Sequence, residues 1–381
     1  MEPIVIIGSG LAGYNVAREL RKLDRDVPLA IVTGDGGEFY SKPMLSNALA
    51  SSKTPAAIPL NSAGQMADQL KAEIRTRAPV TAIEPGARRI RIGEEAMAYS
   101  RLVLAIGASQ IRLPIPGNAV DRILTVNSLD DYARFRSVLE GRKRIAIIGA
   151  GLIGCEFAND LAATGHQVHC IDIAAQPLSR LLPASGASFL QEKLAAIGVA
   201  WYLGTSVAAI ERHDDAVSLA LASGQVLTAD LVLSAVGLKP NTELAEAAGL
   251  AHRRGILVDR LLVTSAAGIH ALGDCAEVEG NVLPFVMPIM HAARALAATL
   301  VGTPTRVSYP AMPVLVKTPA CPTIVAPPAA GARGEWLVER TAEAVKALYL
   351  DGAGKLLGFA LNGTATAERA KLARELPPVL A

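Results

Sequence analysis

The chain opens on four consecutive apolar residues, Ile4 to Ile7, followed by glycines and then a mixed apolar and charged stretch to Leu23. An unbroken short apolar run bounded by glycine predicts a strand buried on both faces, and the stretch after it predicts a helix. The pattern returns further on. IVIIGSGLAGYNVARELRKL from Ile4 and IAIIGAGLIGCEFANDLAAT from Ile145 stand 141 residues apart, with Ile6/Ile147, Gly8/Gly149, Gly10/Gly151, Gly13/Gly154, Ala17/Ala158 and Leu20/Leu161 among the identical pairs. LAIGAS (104–109) and LSAVGLKPN (233–241) read as a strand, a glycine and an exit loop, closing the two repeats at Gly107 and Gly237. GIHALGDCAEV (268–278) predicts a strand ending at Gly273-Asp274, and a helix is expected from about Pro288 to Leu300, with the proline in its first turn. In the last segment VLVKT, EWLVE, VKALYLD and KLLGFALN predict strands, with a hairpin turn at 351–354 and a terminal helix at about 366–376.

The spacing within each repeat is GxGxxG between strand and helix. The first glycine permits the tight turn, the second lets backbone approach a pyrophosphate, and the third lets helix pack on strand. The phosphates would then meet the free amides and positive end of the helix. One such motif is weak evidence; two, each followed by an acidic strand end, indicate two dinucleotide sites. Asp35 lies 22 residues after Gly13 and Asp172 lies 18 after Gly154, both near the offset of a carboxylate that binds ribose hydroxyls. Glu38 is close enough to compete with Asp35. An anionic Asp172, with no arginine before Arg180, would repel a 2′-phosphate and favours NADH over NADPH. Two sites in one chain suggest a flavin and a nicotinamide.

Composition narrows the class. A chain of 381 residues suggests two to three domains. With 37 basic and 35 acidic side chains the formal net charge is +2, which excludes a strongly basic nucleic-acid binder and an acidic disordered chain. Cys155, Cys170, Cys275 and Cys321 show neither CxxC nor metal-ligand spacing, so free thiols in a reducing cytoplasm are expected, with no metal. The start lacks the basic region of a signal peptide, and the most apolar late stretch, 283–301, is broken by Pro288, His291 and Arg294. A cytoplasmic protein with no membrane segment is the expectation.

Over essentially the whole chain this order of motifs resembles the FAD-dependent pyridine-nucleotide reductases, in particular their rubredoxin- and ferredoxin-linked members. The carrying segments are IIGSGLAGYN (6–15), YSKPMLS (40–46), GAGLIGCEFANDL (149–161), SAVGLKPNTELA (234–245), ALGDCAEV (271–278) and VKTPACP (316–322). The resemblance implies an α/β fold with two Rossmann-like, glutathione-reductase-like domains plus a small α+β domain. FAD would be held by 1–110 and 238–306, NADH by 111–237, and 307–381 would cover the flavin. It implies FAD contacts at Gly8, Gly10, Leu11, Ala12, Gly13, Asp35, Lys42, Pro43, Val80, Gly107, Asp274, Met287, Pro288 and Lys317. NAD contacts are implied at Gly149, Gly151, Ile153, Gly154, Glu156, Asp172 and Gly237. Catalytic roles fall to Lys42, which can pair with Glu156, to Glu156 beside the nicotinamide, and to Lys317 at the flavin pyrimidine edge.

The resemblance also implies a direction of flow: hydride from NADH to FAD, then single electrons to rubredoxin, a small acidic iron protein. From there they would feed an iron-dependent oxygenase such as alkane hydroxylase, or an oxygen-detoxifying chain. Docking would be transient and electrostatic onto a monomer, with Arg18, Arg21, Lys22, Arg88, Arg89 and Arg91 as candidate landing residues. An oxygenase ferredoxin is the alternative acceptor; NADH oxidase or peroxidase activity and NADH sensing are further rivals. The stretch YSKPMLSNALA has no cysteine where disulfide reductases of this superfamily carry theirs, which argues against a thiol relay. Asn47 replaces the lysine common in ferredoxin-type members.

Overall fold

The computed structural model describes residues 2–381. The opening apolar run forms the strand Ile4–Ile7, buried throughout, and leads directly into helix α1 (Leu11–Leu23). That strand is the centre of a parallel five-stranded sheet in the order Ile269–Ala271, Arg101–Leu104, Ile4–Ile7, Leu29–Val32, Glu73–Arg75. Its first strand in this order comes from beyond residue 268, so this sheet is assembled from both sides of the chain that intervenes.

The intervening chain repeats the design. Helix α2 (Leu129–Leu139), capped by a reciprocal Ser128/Asp131 box, precedes the strand Arg144–Ile148 and helix α3 (Leu152–Ala163). The second sheet is also parallel and five-stranded: Val199–Leu203, Gln167–Asp172, Arg144–Ile148, Leu231–Ser234, Ile123–Leu124. Each half carries a three-stranded antiparallel meander before its closing strand, at 80–98 and 207–229. A two-stranded ribbon, Ala108–Gln110 against Leu238–Pro240, marks the two places where the chain crosses between the sheets. Gly107 and Gly237 both take positive φ beside this ribbon.

Helix α4 (Val286–Leu300) packs on α1, with Pro288 in its first turn. The C-terminal segment forms an antiparallel sheet in the order Val314–Val316, Thr323–Ala326, Leu356–Gly363, Ala344–Leu350, Glu335–Arg340. The turn at 351–354 forms as expected, with Asp351 accepting from the amides of Ala353 and Lys355. The strand Thr323–Ala326 was not expected: it is four residues, buried throughout and framed by prolines, so it carries no alternation. The terminal helix is shorter than expected, Arg369–Glu375, with a 3₁₀ turn before it. No helix among the described residues is long and apolar enough to cross a membrane.

Candidate active site

The two glycine loops have nearly the same local geometry. Gly8 (φ +108°) and Gly149 (φ +109°) turn the chain where a side chain would strike the carbonyl of Ala105 or Ala235, at 2.3 and 2.6 Å. A Cβ on Gly13 or Gly154 would stand 1.9 or 1.8 Å from the carbonyl oxygen of Gly8 or Gly149. The middle glycines, Gly10 and Gly151, face open space. Neither helix has a side-chain N-cap or an acid in its first turn, so Leu11, Ala12 and Ile153 stand at helix starts whose amides are free for an anion. These cradles fit two pyrophosphates.

The acidic strand ends close each loop. Asp35 Oδ1 accepts from Ser9 Oγ at 2.8 Å, Thr33 Oγ1 at 2.7 Å and the Gly37 amide at 3.0 Å. Asp172 bridges the amides of Ala150 and Ala174, tying the second glycine loop to the turn after its strand. Next to it Ile173, an apolar side chain, is 79% exposed. The amides of Arg77 and Ala78 donate to the carbonyls of Asp35 and Thr33, both at 2.8 Å, so the chain entering Val80 runs beside the turn that bears Asp35. Gly273 (φ +77°), the residue before Asp274, lies against the first turn of α1: a Cβ there would stand 2.9 Å from that of Ala12.

Lys42 lies on a 3₁₀ segment, Lys42–Asn47, with Pro43 in its first turn. Burial pulls the Lys42 ammonium below its ordinary value, opposed by the charges of Asp274, Asp35 and Asp131. Burial raises Asp274, with Lys42 opposing. The Lys42 Nζ donates to Asn127 Oδ1 at 3.3 Å, and Asn127 Nδ2 donates to the carbonyl of Ala108. The expected Lys42–Glu156 pair is therefore corrected. Glu156, 1% exposed, is paired with Lys317 Nζ and accepts from Ser46 Oγ. It also accepts the Lys317 amide at 2.9 Å. The reason is reach: Lys42 at the start of the 3₁₀ segment points to Asp274 and Asn127, whereas Ser46, one turn on, meets α3. Pro288 is buried at the start of α4 and Met287 half exposed beside it.

Five of the six candidate landing residues make contacts within the chain. Arg89 and Arg91 share Glu84, Lys22 pairs with Glu19, Arg21 is spent on the carbonyls of Leu70, Asp24 and Lys71, and Arg18 lies over Phe39. Only Lys22 finds its acid on its own helix. All four cysteines are buried and unpaired, and burial pushes each thiol up, Cys275 to about 11.

Two site residues had no expectation attached. Asn159 Oδ1 accepts the Ala320 amide, and Asp160 accepts the amides of Leu49 and Ala50. The available signal was three polar residues in a helix whose residues 154–162 are all buried, since buried polar groups must find partners.

Two nucleotide cradles of nearly identical geometry, in halves joined by a crossing ribbon, define a two-dinucleotide reductase. Comparison with known proteins agrees. Residues 2–298 match the family described as pyridine nucleotide-disulphide oxidoreductase, and 306–376 match a rubredoxin binding C-terminal domain. The chain belongs to the pyridine nucleotide-disulphide oxidoreductase family. It is 45% identical to the rubredoxin-NAD(+) reductase of Alcanivorax borkumensis over all of both chains. It is 48% identical to that of Acinetobacter baylyi over all of this chain and 99% of the other. The crystal structure of a ferredoxin reductase from Rhodopseudomonas palustris superposes with a TM-score of 0.89, at 27% identity, over 99% of this chain and 96% of that one.

Proposed function

We propose that this chain is an NADH-dependent FAD enzyme that delivers single electrons to rubredoxin. The observation that carries the reading is the pair of matched glycine cradles joined to a rubredoxin binding C-terminal domain at 306–376. FAD belongs with 1–110 and 238–306, NADH with 111–237. Bound flavin supplies the conversion from hydride to single electrons.

The chain's own residues do the rest. The amides around Gly10 and Gly151 hold the two pyrophosphates. Asp35 and Asp172 set the loops and take ribose hydroxyls; Asp274 takes the ribitol. Gly107 and Gly237 would leave room for the cofactors at the ribbon, and α4, entered through Met287 and Pro288, would offer its positive end to the flavin. Lys42 and Lys317 keep cationic groups at the flavin ring, and charge stabilisation there is their contribution. Glu156 holds Lys317 in place beside the nicotinamide. Asp172 and the exposed Ile173 favour NADH over NADPH. No pair of accessible thiols lies on the path, so electrons leave without a thiol relay. Rubredoxin would meet a monomer transiently, from the C-terminal sheet side, in a salt-sensitive encounter.

The test is anaerobic. Mixing the purified yellow protein with NADH should bleach its flavin, and oxidised rubredoxin should restore the colour. Flavin that NADH does not bleach, or that rubredoxin does not reoxidise, contradicts the reading.

A further inference from the structure

The segment that carries Lys42, Pro43 and Ser46 belongs by sequence to the first half, yet its continuation is held by the second. Leu45, Ala48 and Ile58 pack in the core that surrounds α2 and α3. Arg136 of α2 donates to the carbonyl of Lys53 at 3.1 Å, and the Leu129 amide donates to Tyr40 Oη at 3.0 Å. The tightest tie is Asp160 of α3. Its side chain is 1% exposed, and its two oxygens are divided between successive amides, Leu49 at 3.0 Å and Ala50 at 2.9 Å. A buried carboxylate shared between two amides fixes both the position and the direction of the backbone it holds. Leu49 follows Ser46 by three residues, so a shift there is passed directly to the 3₁₀ segment.

We propose that Asp160 is a positioning residue of the reaction: from the nicotinamide half it sets the 42–50 segment, and with it Lys42, Pro43 and Ser46, against the flavin. It touches neither cofactor. The half that brings the hydride donor thereby builds one wall of the half that receives the hydride. This rests on the reading that 42–46 borders the isoalloxazine.

The holoenzyme tests it through Asp160→Asn and Asp160→Ala, with Ser51→Ala, exposed nearby, as control. Hydrogen exchange at 47–53, visible circular dichroism of the flavin, and single-turnover reduction by NADH are read together. Asp160→Ala should speed exchange locally about tenfold. It should change the flavin dichroism and slow reduction about ten- to hundredfold, with NADH affinity held within about threefold. Asp160→Asn, keeping one acceptor, should fall between it and the wild type. Unchanged local exchange in both variants overturns the anchoring. Faster local exchange with unaltered dichroism and reduction overturns the positioning role. Protein that purifies without flavin contradicts the functional reading itself, while exchange still reports on the anchor.

Discussion

Helices α1 and α3 begin from near-identical glycine loops and then diverge. Glu156, Asn159 and Asp160 stand, at the 141-residue offset, opposite Asn15, Arg18 and Glu19. In α1 the two positions that make hydrogen bonds stay within the helix, Asn15 bonding back to Leu11 and Glu19 pairing with Lys22, while Arg18 lies over the ring of Phe39. In α3 each reaches another part of the chain, at Lys317, Ala320 and Leu49–Ala50. The cradle was kept in both copies because pyrophosphate asks for the same backbone twice. The helix behind it was free to change, and in the second copy its polar residues became the joint between three regions.

The largest effect should come from what the copies share. Gly13→Ala and Gly154→Ala each force a methyl into a carbonyl and should cost about 4 kcal/mol or more, measured by chemical denaturation. The open-facing Gly10→Ala and Gly151→Ala should fold and lose only their own nucleotide, flavin or NADH. Next comes the difference between the helices. Lys317→Met leaves Glu156 buried beside Ser46 without its cation and should cost about 3 kcal/mol while slowing flavin reduction; Glu19→Gln, which removes the exposed Glu19–Lys22 pair of α1, should change stability by less than about 0.5 kcal/mol.

A third effect is set by pH. Burial lifts the Asp160 carboxyl from its ordinary 3.8 to about 6, against the pull of the two amides, Arg136 and Lys317. Its folded value is the higher one, so between those values the native state binds more protons than the unfolded chain. Asp160 therefore subtracts stability as pH rises from about 4 to about 6. Across that window the stability of Asp160→Asn, read by denaturation, should fall less or rise more than that of the wild type, by about 3 kcal/mol in all; parallel curves would contradict it. The smallest effect separates the acidic strand ends. Asp172→Ala should weaken NADH binding about tenfold, ~1.4 kcal/mol, and leave flavin content intact, whereas Asp35→Ala should lower flavin content first.

These contrasts mark what the sequence could and could not disclose. The strand–turn–helix joints at Gly8 to Gly13 and Gly149 to Gly154 were legible because their pattern lies in a spacing of a few residues. The parallel strands were legible because burial on both faces leaves unbroken apolar runs. Lys317 and Glu156 are 161 residues apart, and nothing local says that Ser46 and Lys317, and not Lys42, would surround the carboxylate. Asp160 was hidden for a related reason: its partners are backbone amides, which every residue but proline offers. Charge counts likewise do not show that Glu84 sits within reach of both Arg89 and Arg91.

The most direct test of the account is anaerobic NADH oxidation with rubredoxin and a [2Fe–2S] ferredoxin as competing acceptors. Fast rubredoxin reduction with slow ferredoxin reduction is the predicted result. Fast ferredoxin reduction with rubredoxin left oxidised would contradict the assignment of acceptor, though the hydride site would stand.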